Sequence, residues 1–296
     1  MNKITKIVIA ATSIYALGGC VVVVGANNID ADITLEQDLS LSASGIDTMR
    51  IDAGAGKLDI VGVEGLNEIE VRADIRTSDE VDYTLSLVKK GDTAVLIAKH
   101  DEYKGSWGSW SSNYPKIDVQ VSVPAKLLLR VKDGSGDLTI KDIASDVFLD
   151  DGSGDAKVSN VEGDLNVEDG SGDLMISNVG KALKIDDGSG DLRISDIDGT
   201  LDIEDGSGGL TAKNVAGDIV VDDSSGDITI TNAGGNLNLE DSSGDIVVTD
   251  ASGDVVVDDS SGDIRVNGAE SVHITDDGGG STSFKNIRGN IRNDDS

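Results

Sequence analysis

Nine aspartates fall 18 residues apart, at Asp133, Asp151, Asp169, Asp187, Asp205, Asp223, Asp241, Asp259 and Asp277. Most of them open the phrase Asp-Gly/Ser-Ser-Gly-Asp, whose closing residue forms a second series at Asp137, Asp155, Asp173, Asp191, Asp227, Asp245 and Asp263. An acidic residue also precedes each unit, as at Asp150, Glu168, Asp186, Glu204 and Asp222. Carboxylates at a fixed period suggest cation chemistry first, because Ca2+ prefers carboxylate and carbonyl oxygens. If the units stack, like charges lie about 4.8 Å apart, and each adjacent pair costs about 1 kcal/mol even in bulk water. Two arrangements offset that repulsion. Ca2+ can bridge neighbouring units through both aspartate series, or each aspartate can accept hydrogen bonds from the amides of its own Gly-Ser-Gly turn while solvent and salt screen the rest. Capping is the preferred reading.

The other residues with chemistry to offer are few. Tyr103, Trp107, Trp110 and Tyr114 crowd into residues 101–115, between glycines and serines, in a chain only 3% aromatic. Rings on such a loop grip a sugar, a peptide or a lipid headgroup, or else fold back over apolar β-surface, which is the favoured alternative. His100 and His273 are the two histidines of the chain. No nucleophile stands beside a base, no His-Glu spacing marks a metalloenzyme, and no phosphate loop joins a strand to a helix. The expectation is therefore a protein that is not an enzyme and has no cofactor, with Ca2+ as the one candidate ion. A polysaccharide-acting β-helix enzyme, with carboxylates on a sheet face, is the remote alternative.

The elements that must position these residues follow from the period. An 18-residue unit too small to bury its own apolar face has to stack on its neighbours, which predicts a solenoid. Within the unit, Val158, Val161, Leu165 and Val167 are followed by Leu174, Ile176, Val179, Leu183 and Ile185. Spacing of two inside each group is the strand period, so each coil holds two short strands. The intervening Val161 or Val179 fills the core at a turn. Gly and Asp mark one corner and Asn160, Asn178, Asn214 and Asn232 the other, since these residues accept left-handed or Asx-turn geometry. The fold class predicted is all-β: a parallel β-solenoid of about nine regular coils over residues 133–296, forming a rod about 43 Å long at the usual strand spacing.

Two coils depart from the rule. In the eighth, Val272 and Ile274 lie one residue early and His273 takes the apolar slot. A slip of one would turn every side chain over, so a turn shorter by one before Val272, a longer one after Ile274 and an outward His273 are expected. The ninth, residues 277–296, has Thr282 and Asn293 in core positions and adds Lys285, Arg288 and Arg292, as end caps do. Ahead of the regular coils, residues 33–132 form an irregular β region, expected to hold early, irregular coils of the same solenoid. Its strands alternate at 67–73, 83–88 and 116–123, and Gly54-Ala-Gly-Lys-Leu-Asp-Ile60 is a degenerate copy of the repeat. The outward positions of the first strand carry Lys141, Lys157, Arg193, Lys213, Arg265 and Lys285, a mildly basic face whose simplest role is local charge balance.

The formal net charge of −31 opposes approach to phosphate, so nucleic acid is not an expected partner. Lys3 and Lys6 precede an apolar run that ends in Leu17-Gly18-Gly19-Cys20. The run is too short to span a bilayer and resembles the bacterial lipobox, which implies a signal peptide at 1–19, a lipidated Cys20 and a tether through residue 32. Cys20 is the only cysteine, which leaves no disulfide within the chain. Val21 rather than Asp after it resembles the pattern sorted to the outer membrane in a Gram-negative cell.

The repeated Ser-Gly-Asp-Ile/Leu-x-Val, led by Val121-Ser-Val-Pro124 and the strand into Lys132-Asp-Gly-Ser-Gly136, resembles a bacterial domain family of unknown function labelled putative adhesin, of toastrack-type β-solenoid structure. The resemblance covers residues 46 to 296. It implies a cell-envelope protein, an adhesin or part of a stress-sensing system, with no catalytic residues to carry over. The 18-residue coil is also similar to that of repeat-in-toxin β-rolls, which bind Ca2+. Those repeats read Gly-Gly-x-Gly-x-Asp in both halves, whereas here Asp follows the last Gly directly and Gly-Ser-Gly occurs once per coil. The expected function is a structural or adhesive lipoprotein of the cell envelope, bound to the membrane through Cys20 and in contact with an envelope polymer or host surface. The alternative is an acidic β-roll spacer stiffened by Ca2+.

Overall fold

The structure, a computed structural model, describes residues 31–79, 81–101 and 114–294. The chain divides into two compact units, Met1–Ser145 and Asp146–Ser296. Every regular element in the described residues is a β-strand, so the all-β expectation holds.

The first unit contains β1 (Ile33–Ser42), β2 (Thr48–Ala53), β3 (Leu58–Val63), β4 (Glu68–Thr77), β5 (Tyr83–Lys90), β6 (Thr93–His100), β7 (Lys116–Pro124), β8 (Leu128–Asp133) and β9 (Leu138–Ile143). One sheet runs β1-β4-β7-β3-β9 and the other β8-β2-β6-β5. The degenerate copy proves to be a genuine coil. β2 lies parallel to β8 with Ile51 against Val131, and β3 lies parallel to β9 with Ile60 against Ile140. The turns between them also stack, Gly56 N–H donating to Ser135 O and Ser135 N–H to Gly54 O. β6 and β7 also lie parallel to β2 and β3, with Leu96 against Ile51 and Val121 against Ile60, as a further coil layer, and antiparallel pairs flank it. β1 pairs antiparallel with β4, β4 with β7 and β5 with β6. A two-residue connection, Gly91-Asp92, with Gly91 at φ +67°, turns β5 straight back into β6, as tight hairpins require.

In the second unit the coils are regular. One sheet holds strands of six residues, from Ala156–Val161 to Thr282–Ile287, and the other mostly strands of five, from Val147–Asp151 to Ile291–Asn293. Each strand pairs in parallel with the strand one coil on, as Leu174 with Leu192 and Ile185 with Ile203. Alternation sends Leu174, Ile176, Leu183 and Ile185 fully inward, each contributing about 1.5–3 kcal/mol on burial.

The two corners differ in mechanism. At one, Asn160, Asn178, Asp196, Asn214, Asn232 and Asp250 all have φ between +56° and +61°. That left-handed residue reverses the strand's alternation and returns Val161 and Val179 to the core, both 1% exposed. Short polar side chains tolerate the conformation, and here they also bond between coils: Asn178 to Asn160 at 3.0 Å, Asn214 to Asp196 at 2.8 Å and Asn232 to Asn214 at 2.8 Å. At the other corner the second glycine of each turn stacks on the one below. A Cβ on Gly208, at φ +141°, would lie 1.7 Å from Gly190 O.

The eighth coil adjusts as the sequence predicts. Val272 pairs with Val255 and Ile274 with Val257, then the register shifts and Asp276 pairs with Asp258. His273 points outward and meets Asp294 at 3.1 Å. In the ninth, Thr282 and Asn293 are half-buried, Ile291 is 51% exposed, and Arg288 donates to Glu270 at 2.9 Å and to Ser252 O at 3.0 Å. Among the described residues no helix is long and apolar enough to cross a membrane.

Candidate functional site

The two aspartate series come to occupy different environments. Asp133, Asp151, Asp169, Asp187, Asp205, Asp223, Asp241 and Asp259 are buried, none more than 5% exposed. This corrects the expectation of a surface column screened by solvent and salt. The cause is alternation: Asp187 is two residues beyond Ile185 and four beyond Leu183, so the strand that buries those residues buries Asp187 as well. From Asp169 onward each member caps its own turn. Oδ1 accepts the amide N–H of Ser171 at 3.1 Å, Ser189 at 3.2 Å, Ser207 at 3.0 Å, Ser225 at 2.9 Å, Ser243 at 2.9 Å and Ser261 at 2.8 Å. Capping, the preferred reading, is what this column does. The other oxygen, Oδ2, of Asp169, Asp187, Asp205, Asp223, Asp241 and Asp259 is sealed from solvent and meets no partner among the described residues. Burial pushes the column's carboxyls up, Asp151, Asp169 and Asp241 to about 6 and Asp187 and Asp223 to about 7.

The second series lies at the surface and works between coils instead of within one. Oδ1 of Asp155 accepts the N–H of Asp173 at 3.2 Å, and the pattern repeats from Asp173 to Asp191, Asp191 to Gly209, Asp227 to Asp245, Asp245 to Asp263 and Asp263 to Ser281. These carboxylates therefore cap the next coil's turn, not their own, which corrects that aspect of the expectation. Arg193 bridges Asp173 and Asp191, and Arg265 bridges Asp245 and Asp263. Backbone N–H donation, with the arginine second, holds the carboxyls of Asp173 and Asp245 below their ordinary value. Asp137, in the first unit, is likewise exposed. A third inter-coil row went unanticipated: Asp146 Oδ1 accepts the N–H of Asp164 at 2.9 Å, Asp164 that of Ala182 at 3.1 Å and Asp218 that of Asn236 at 2.7 Å.

One oxygen of each of these carboxylates thus turns onto a backbone amide. Among the described residues no group of three or more His, Cys, Asp or Glu side chains could hold a metal ion.

The outward faces of the second unit carry contrasting chemistry. On the five-residue strands, Asp150, Glu168, Asp186, Glu204, Asp222, Glu240 and Asp258 stack in register as one acidic row. On the six-residue strands, the corner row carries Asp196 and Asp250 among its asparagines, and the other two outward rows contain no carboxylate. One runs Lys157, Met175, Arg193, Thr211, Thr229, Val247, Arg265, Ser283 and the other Ser159, Ser177, Ser195, Lys213, Thr231, Thr249, Asn267, Lys285. Charge balance, the role expected of the basic positions, accounts for Arg193 and Arg265.

Of the aromatic candidates, Tyr114 is 51% exposed; Tyr103, Trp107 and Trp110, and also Cys20, lie outside the described residues. His100 packs beside Tyr83 with ring centroids 6.0 Å apart, and burial lowers its affinity for a proton.

The family described as Toastrack DUF4097 matches residues 66–237. Two solved structures are similar to the chain. A putative cell adhesion protein from Clostridium sporogenes ATCC 15579 is 14% identical with a TM-score of 0.35, over 88% of this chain and 99% of that one. A putative adhesin from Bacteroides fragilis NCTC 9343 is 18% identical with a TM-score of 0.39, over 88% of this chain and 96% of that one. No curated protein matches.

Proposed function

This chain belongs to the Toastrack DUF4097 family, and we propose that it serves as a non-enzymatic cell-envelope lipoprotein, held to the membrane through Cys20 and acting as a structural or adhesive binding module. The observation that carries this reading is the division of labour among the carboxylates. Those that recur at the two turn positions bond to backbone amides within and between coils. A glycosidase instead needs paired carboxyl groups held open to substrate and water. What the coils present outward is a broad, regular surface, and the face best suited to an envelope polymer is the pair of rows free of carboxylate. Hydroxyls at Ser159, Ser177, Ser195, Thr211 and Thr229 recur along it at strand spacing, with Lys157, Lys213 and Lys285 exposed among them. Hydroxyl and ammonium donors in that array match sugar and acid oxygens of an anionic polysaccharide, while the acidic row on the other sheet repels it.

Two measurements test the reading. Metabolic labelling with a fatty acid tags the full chain, and Cys20→Ser abolishes the tag; labelling that survives Cys20→Ser contradicts lipid anchoring at that residue. In co-sedimentation with a purified anionic bacterial polysaccharide, the triple variant K157E/K213E/K285E binds about tenfold more weakly than the unaltered chain, as the loss of three cationic contacts implies. Equal binding by both would remove this face as the contact surface.

A further inference from the structure

The buried aspartates pose a problem that turn capping leaves unsolved. Each uses one carboxylate oxygen on a serine amide, yet Oδ2 of Asp169, Asp187, Asp205, Asp223, Asp241 and Asp259 is enclosed with no partner among the described residues. The side chains stand directly above one another, since Asp169 is in register with Asp187, Asp187 with Asp205, Asp205 with Asp223, Asp223 with Asp241 and Asp241 with Asp259. Neighbours along such a stack are about 4.8 Å apart. The charges acting on them come from other carboxylates: the column's own members above and below, Asp150 and Asp222 beside it on the strands, and Asp155, Asp191, Asp227, Asp245, Asp276 and Asp277 across the turns. A run of fully ionised carboxylates, buried and without a cation, is not a stable arrangement. Burying an uncompensated charge is strongly unfavourable, and closely set carboxyls relieve it by taking up protons.

We propose that the column is a proton-binding array, in which some of its buried, stacked carboxyls take up a proton from solvent at neutral pH. The uptake removes charge from a vertical row of repelling anions. No metal is needed, and the Oδ1 cap to serine is retained in either protonation state. Because neighbours couple, the protons leave over a broad range and belong to the row as a whole.

The array makes the fold sensitive to pH in a defined direction. The ordinary aspartate value is 3.8, and burial raises the folded carboxyls to about 6 to 7. Between those limits the folded state binds more protons than the unfolded one, so stability is highest in mild acid and falls as pH rises through about 6 to 7.

Thermal unfolding of the full chain from about pH 4.5 to about pH 8.5, a range that spans the linkage, reads this out alongside the carbon-13 titration of the aspartate carboxyl carbons. The expected result is a melting temperature that drops with rising pH and a set of carboxyls titrating well above the rest. D187N/D223N, which mimics two permanently protonated members, shows a shallower drop and a folded-to-unfolded ratio at pH about 8 raised by about tenfold or more per site. Asp38→Asn, at an exposed position of β1, leaves the slope as it was. A melting temperature that is flat or rises across the range, with every carboxyl titrating near its ordinary value, overturns the proposal. The carbon-13 titration of the unaltered chain decides the matter even if the double variant fails to fold.

Discussion

At Gly208 the demand that stacking makes on one residue is most severe. Its φ of +141° suits glycine alone, and a side chain would drive into the carbonyl of Gly190 in the coil below. Gly208→Ala therefore has to push neighbouring coils apart, and we expect a loss of about 3 kcal/mol or more, measurable as a fall in the urea midpoint. The Gly-Ser-Gly phrase is legible in the sequence as a turn, but the backbone contact that enforces it comes from the neighbouring coil and has no local signature. The aspartate before it is a different case. Its burial was legible, because Leu183, Ile185 and Asp187 share one parity; reading Asp only as a corner residue hid it. The unpartnered second oxygen was not legible, since it depends on how the turn encloses the carboxylate.

At the scale of the element, the left-handed corner does the work that lets six residues bury three. Asn214 holds φ at +56° and links to both neighbours, donating to Asp196 and accepting from Asn232. Asn214→Ala incurs the left-handed penalty and loses the ladder, for about 1–2 kcal/mol in chemical denaturation. Asn214→Gly keeps the conformation and loses only the ladder, so its cost is smaller. Regular coils could be read from the sequence nearly residue by residue, including the slip that turns His273 outward, because each apolar position repeats against itself. The first unit could be read as strands, and the coil at 48–63 as a copy of the repeat, but not its pairing. β4 to β7 alternate as cleanly as the coils do, and alternation says which face is buried without saying which strand lies alongside or in which direction. Only the Gly91-Asp92 hairpin carried a local signal.

On the scale of the whole molecule, the net charge of −31 is the dominant fact. A chain so charged repels itself, and cations of any kind relieve that repulsion by screening. Ca2+ would therefore stabilise it somewhat whether or not it has sites, and only a specific excess over a monovalent salt is informative. The central claim of this account is that amide hydrogen bonds within and between coils, with proton uptake in the buried row, satisfy the aspartate columns without requiring a metal. The most direct test is calorimetric titration of Ca2+ into the chelator-treated full chain, with thermal melts in Ca2+ and in NaCl at matched ionic strength. The account predicts no saturable binding heat and equal melting temperatures in the two salts. Several sites of sub-millimolar affinity, with a large rise in melting temperature in Ca2+ alone, would contradict it and make the columns ion ladders.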